Sequence, residues 1–116
     1  MDKQTLNTLV GLALGWKFNL VETKYGDYTE WEAPDVSGLH YTKELPDYCN
    51  CTNISAFEDL LRIFASNHIY FSIDRTVGKE YICTMKDKDD KQYTYKSSSL
   101  QMAICFTLLK TKGFIS

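Results

Sequence analysis

The hydrophobic and polar positions of this chain change period four times. Near the N-terminus Leu6, Leu9, Val10 and Ala13 recur at spacings of three and four, one apolar face of a helix over residues 3–14. Asp2 can accept from the free N–H groups of its first turn, and Gly15 suits a left-handed C-terminal cap. Helical spacing returns over 53–66, where Ile54, Phe57, Leu61 and Phe64 mark the expected buried face. Thr52 or Asn53 can cap this helix, with Ser55 and Glu58 offering a competing capping box. Asn67 suits its C-terminal turn, and His68 reads as a capping or solvated turn residue.

The last third switches to period two. Ile69, Phe71 and Ile73 alternate with Tyr70, Ser72 and Asp74. Tyr81, Cys83 and Met85 alternate with Ile82 and Thr84, and Tyr93 and Tyr95 with Gln92, Thr94 and Lys96. The turns between these runs are short, so the strands form an antiparallel meander, with Gly78 as the residue expected to supply a positive φ. A third helix follows from Ser97-Ser98-Ser99 onward and is read as amphipathic. Ser98 and Gln101 form a candidate capping box, Leu100, Ala103, Ile104, Thr107 and Leu108 a buried face, and Gly113 a stop.

Residues 16–50 have no clear period. They hold both tryptophans, both prolines and four tyrosines, and Glu and Asp outnumber Lys. Residues 24–31 can form a hairpin around Tyr25-Gly26-Asp27. A long segment without structure is unusual in a small domain, so the rest is expected to contain short strands or to lie flat on the core.

Length sets the scale. The chain's 116 residues fit one domain, 1–116, large enough to bury a core without metals or disulfides. The formal charge of −2 argues against sequence-independent nucleic-acid binding, which needs a dense set of cations against phosphates. No apolar run reaches the length of a membrane span, and LVGLALGW reads as part of the first helix rather than a signal peptide. A reducing cytoplasm is therefore the expected compartment. Cys83 and Cys105 sit among apolar neighbours as core residues, and Cys49 and Cys51 are too close together for usual zinc spacing.

The residues offer little for catalysis. There are two histidines, His40 and His68, and neither has a nucleophile at a diagnostic spacing. His40 with Cys49 and Cys51 makes a weak thiol or metal pattern. Asp87-Lys88-Asp89-Asp90 lacks the glycine and distal glutamate of a calcium loop, and Gly11 and Gly15 do not make a phosphate loop. No catalytic group, metal or cofactor is expected. The better lead is aromatic. Tyr25, Asp27, Tyr28, Glu30, Trp31 and Tyr41 are the candidate ligand- or partner-binding residues, because amphipathic rings bury area at low entropy cost. Against this, Trp16 and Trp31 can simply plug helix ends and cover the sheet, and the acidic run can be a solvated edge.

Four segments carry a resemblance: LNTLVGLALGW at 6–16, LPDYCNCTNISAFEDLL at 45–61, FSIDR at 71–75 and LQMAICFTLLK at 100–110. With Gly15-Trp16, Pro46-Asp47-Tyr48 and Ala103-Ile104-Cys105 in place, the chain resembles the small phage ABA sandwich domain family over nearly its whole length. Cys49 stands where the family often has a small residue such as Ser. The resemblance implies an α+β fold with α-β-α layering, three helices and a three-stranded antiparallel meander, and a phage or prophage origin. It transfers no catalytic residue. Its context implies a non-enzymatic accessory protein in the host cytoplasm that counters host defence. Such a protein would block a host defence protein, or sequester a small nucleotide signal as an oligomer. The alternative is a self-assembling structural or replication-associated phage protein.

Overall fold

The computed structural model describes residues 2–116. It is an α+β fold with three helices and two antiparallel sheets. In chain order these are α1 (Lys3–Ala13), β1 (Lys17–Thr23), β2 (Gly26–Glu32), α2 (Ile54–Ser66), β3 (Phe71–Arg75), β4 (Tyr81–Lys86), β5 (Gln92–Ser97) and α3 (Leu100–Thr111). β1 and β2 pair only with each other, and β3-β4-β5 form the expected meander.

The meander's alternation is as the sequence predicts. Phe71, Met85 and Tyr93 lie in one cross-strand row, and Ile73, Cys83 and Tyr95 in the next. Cys83 and Met85 of the central strand are fully buried. The neighbouring rows, Ser72-Thr84-Thr94 and Asp74-Ile82-Lys96, occupy the opposite, more open face. Each hairpin closes on a left-handed residue, Lys79 at φ 65° and Asp90 at φ 63°. The expected position was Gly78. The turn bond from Lys79 N–H to the Thr76 carbonyl places the left-handed residue one step later, on a lysine.

α3 lies on the buried face of the meander. Phe106 stacks on Tyr95 at 4.5 Å, and the Thr107 hydroxyl reaches both the Ala103 and Cys83 carbonyls. α3 is not amphipathic as expected. Ala103, Ile104, Cys105, Thr107, Leu108 and Leu109 are all buried, an arc of about two-thirds of the helix circumference at 100° per residue. A helix apolar nearly all round is a core helix. α3 therefore has the sheet on one side, and α1 packs against it as well. Its N-cap is Ser99, whose hydroxyl accepts from Met102 N–H, not Ser98.

α2 also presents a different face from the expected one. Asn53 caps it, but Ile54 is 69% exposed and Leu61 is at the surface. The buried face is Ala56, Asp59, Leu60, Ile63 and Phe64. A charged residue in that stripe hid it from an apolar-spacing argument. Asp59 belongs there because its two carboxylate oxygens accept from the backbone N–H groups of His40 and Tyr41, at 2.8 and 2.9 Å.

All three helices end in the same way. The second residue beyond each cap donates to a carbonyl five residues back: Trp16 to Gly11, Ile69 to Phe64, Phe114 to Leu109. The intervening left-handed residues are Gly15, His68 and Gly113. His68 is therefore a helix terminator, in line with the turn reading.

Residues 33–53 contain no helix or strand and lie flat on the core, burying Pro46, Tyr48 and Cys49. Side chains supply the backbone partners that a ladder would have given. The Asn7 amide donates to the Pro46 carbonyl, and its oxygen accepts from Tyr48 N–H. Leu45 packs against Gly11 of α1, where an added Cβ would lie 2.5 Å from its Cδ1.

Candidate functional site

The β1–β2 hairpin is an arm. Of its residues only Trp31 is packed against the core. Phe18 is 55% exposed, Leu20 61%, Tyr28 53% and Tyr25 89%. The radius of gyration is 15.2 Å, against about 13 Å for a compact chain of this length, and the molecule measures 58 Å by 30 Å by 29 Å.

Strand alternation divides the arm into two faces. Phe18-Trp31, Leu20-Thr29 and Glu22-Asp27 are cross-strand pairs on one; Lys17-Glu32, Asn19-Glu30 and Val21-Tyr28 are on the other. The Phe18 and Trp31 rings meet at 4.7 Å with a 50° tilt. Asn19 donates to the Glu32 carboxylate across the second face. At the tip, Lys24 lies over the Tyr25 ring at 5.1 Å.

Five of the six candidate residues are thus on the arm, though not on one surface. Asp27 and Trp31 share a face, Tyr28 and Glu30 share the other, and Tyr25 is at the tip. Tyr41 is elsewhere, against α2, with its hydroxyl directed to the Asn53 side chain. The sequence reading did not single out β1. Phe18 and Leu20 on that strand expose apolar surface beside the tyrosines. The signal was present in the β-favouring run Phe18-Asn19-Leu20-Val21 ahead of a Gly-containing turn.

A cleft of about 670 Å³ opens at the root of the arm, between α1, β2 and residues 43–47. Lys3, Asn7, Glu30, Trp31, Lys43 and Asp47 are among its walls. Its cations, Lys3 and Lys43, face a larger set of carboxylates from Glu30, Glu44 and Asp47.

Elsewhere, two polar side chains already have partners. His40 Nε2 is 3.0 Å from the Glu58 carboxylate at the surface. The Asp87 carboxylate accepts from Asp89 and Lys91 N–H in its own turn. All four cysteines are free thiols. No group of three or more potential metal ligands occurs among the described residues, and no helix among them is long and apolar enough to cross a membrane.

No protein-family model matches the chain, and no curated protein or solved structure matches it either. The phage resemblance therefore rests on the quoted motifs alone.

Proposed function

We propose that this protein acts by binding, without a reaction of its own, and that the β1–β2 arm is its contact surface for a partner protein. The observation that carries this reading is the exposure of Phe18, Leu20 and Tyr28 on a two-stranded hairpin with two free edges. An isolated two-stranded hairpin is marginal in water, and native proteins usually cover or charge such edges. Here aromatic and aliphatic side chains supply anchor area, while Asp27, Glu30 and Glu32 favour a partner with basic groups around an apolar patch.

The phage resemblance suggests a host defence protein as that partner, met in the bacterial cytoplasm. Four free thiols agree with a reducing compartment. A second reading, capture of a small nucleotide, is favoured by the root cleft, where Trp31 offers a stacking surface and Lys3 and Lys43 offer phosphate contacts. It ranks second because phosphates need converging donors and the carboxylates there outnumber the cations.

The test is a pull-down from host lysate with the wild-type protein and a Leu20→Lys/Tyr28→Lys variant, followed by native mass spectrometry. Both positions lie outside the core, so the variant should keep its circular dichroism and melting temperature. A stoichiometric protein partner lost by the variant supports the arm. The same partner retained at equal yield refutes it. A retained small mass, lost in Trp31→Ala, favours the nucleotide reading. A homo-oligomer that the variant dissolves gives the arm to self-assembly.

A further inference from the structure

β3 is an edge strand of the meander, and its outer side is unpaired. The phase of the ladder fixes which residues face outward. Where the β3–β4 hairpin begins, the Thr76 N–H donates to the Glu80 carbonyl at 2.8 Å. Hydrogen-bonded pairs alternate along an antiparallel ladder, so Asp74-Ile82 and Ser72-Thr84 are the next bonded pairs. The N–H and C=O groups of Phe71, Ile73 and Arg75 therefore point away from β4. No loop or side chain among the described residues supplies them with a partner. The other edge differs. The Asp87 N–H donates to the Lys91 carbonyl, and the same alternation turns the Thr94 backbone groups of β5 outward. There Lys110 of α3 donates to the Thr94 carbonyl at 3.2 Å and guards the edge with a cation.

The surface beside β3 is also partly bare. α3 packs on β4 and β5. Ile73 is only partly buried although it points to the core face, whereas its cross-strand neighbour Cys83 is fully buried. Tyr70 is 74% exposed at one end of β3, and Val77 is fully exposed at the other.

We infer that β3 pairs antiparallel with β3 of a second copy about a two-fold axis at Ile73, joining two three-stranded meanders into one continuous sheet. The strand is self-complementary in that register. Ile73 lies opposite the partner's Ile73, Phe71 opposite the partner's Arg75 and Ser72 opposite the partner's Asp74. Phe71, Ile73 and Arg75 occupy the bonded positions, so every outward N–H and C=O of β3 gains a strand partner. Ser72 and Asp74 fall at the non-bonded positions, where side chains approach most closely, and there a hydroxyl meets a carboxylate. Arg75, which already lies over the Tyr81 ring at 5.2 Å, meets a second aromatic ring. No like charges stand opposite one another. The two-fold also sets the Tyr70 end of each strand beside the Val77 end of the other. The contact is isologous and closes at two copies. The β1–β2 arm takes no part in it, so the pairing is independent of the partner contact proposed for the arm.

The test is sedimentation equilibrium of the full chain from about 10 µM to about 1 mM, a range suited to the weak association of a small interface. Wild-type protein is expected to follow a monomer–dimer equilibrium. Ser72 is exposed, so substitutions there leave the core intact. Ser72→Asp sets carboxylates opposite each other at two symmetric positions and should weaken the dimer by about twofold to thirtyfold, while Ser72→Lys should tighten it by a similar factor. In wild type, amide exchange at Phe71, Ile73 and Arg75 should slow as concentration rises, while exchange at Ser72 and Asp74, already bonded to β4, should not change. Leu20→Lys/Tyr28→Lys should dimerise as wild type does. The inference is overturned by wild-type protein that stays monomeric over the whole range, or by assembly beyond a dimer. It is also overturned if the two Ser72 variants shift the equilibrium in the same direction or not at all, or if the arm variant dissolves the dimer.

Discussion

Trp16 Nε1 donates to the Tyr48 hydroxyl at 2.8 Å, and both residues are almost completely buried. The bond spans 32 residues of sequence and ties the end of α1 to the irregular segment. Trp16 performs two tasks at once: its backbone N–H closes the α1 terminus, and its indole anchors Tyr48. The helix-end plug expected from sequence is therefore also a polar clamp. β1 begins at the next residue, so the clamp fixes the root of the arm. Burial pushes the Tyr48 phenol above its ordinary pKa, which keeps it neutral and available as an acceptor.

Tyr48→Phe removes the acceptor and leaves the buried indole N–H without its partner. The expected cost is about 1–3 kcal/mol in urea unfolding. Trp16→Phe with Tyr48→Phe should cost less than the sum of the single changes, because the double variant has no orphaned donor. Additive costs would show that the two side chains contribute through packing alone.

Asp59→Asn tests the second polar anchor. The carboxylate accepts two backbone N–H groups, whereas the amide offers one oxygen and turns an NH₂ group toward a donor. A loss of about 1–3 kcal/mol is expected, with faster amide exchange at His40 and Tyr41. Exchange that accelerates equally across α2 and the loop would mean global destabilisation in place of local release.

What the sequence made legible follows from how repetitive each element is. The meander was readable because Phe71, Ile73, Cys83, Met85, Tyr93 and Tyr95 all point one way. The α1 and α3 termini were readable because Gly15 and Gly113 are glycines at left-handed positions. The face of α2 was not, since it is set by Asp59 serving a backbone nineteen and eighteen residues upstream. The burial of α3 was legible in part: Cys105 was expected in the core and is there, while Leu109 lies outside the stripe that spacing alone selects. The arm was half-readable. A hairpin is expected over residues 24–31, but the observed one spans 17–32 because β1 falls in the segment without a clear period, and the separation of Trp31 from Tyr28 depends on strand register.

Lys79 carries a left-handed conformation that an L side chain adopts at a cost, next to a glycine that does not use it. Lys79→Gly should stabilise the protein by about 0.5–1 kcal/mol, the relief at φ 65° being partly offset by the freedom glycine gains when unfolded. Gly78→Ala, at a position with no positive φ and no close neighbour beyond ordinary contact, should stabilise by about 0.4–1 kcal/mol through the lost unfolded-state freedom alone. A higher denaturation midpoint in Lys79→Gly would locate the strain at Lys79, since added glycine freedom by itself lowers it. A lower midpoint would mean that the turn is not strained there.

Asp87 gives the β4–β5 turn a pH dependence of known sign. Desolvation raises its pKa, but N–H donation from Lys91 and Asp89, the Tyr93 hydroxyl and the Lys91 charge together outweigh it, so the net shift is downward. A carboxyl group with a lower pKa folded than unfolded releases its proton more readily in the native state. Its contribution is therefore complete above the unfolded pKa and disappears as pH falls through the native one. Asp87→Asn keeps an acceptor oxygen and loses the charge. The variant should melt below wild type at neutral pH, and the gap should close as pH falls from about 5 to about 2. Thermal unfolding of both proteins across that range is the measurement. A gap of constant size would mean that the turn is held by the acceptor geometry of the side chain and owes nothing to its ionisation.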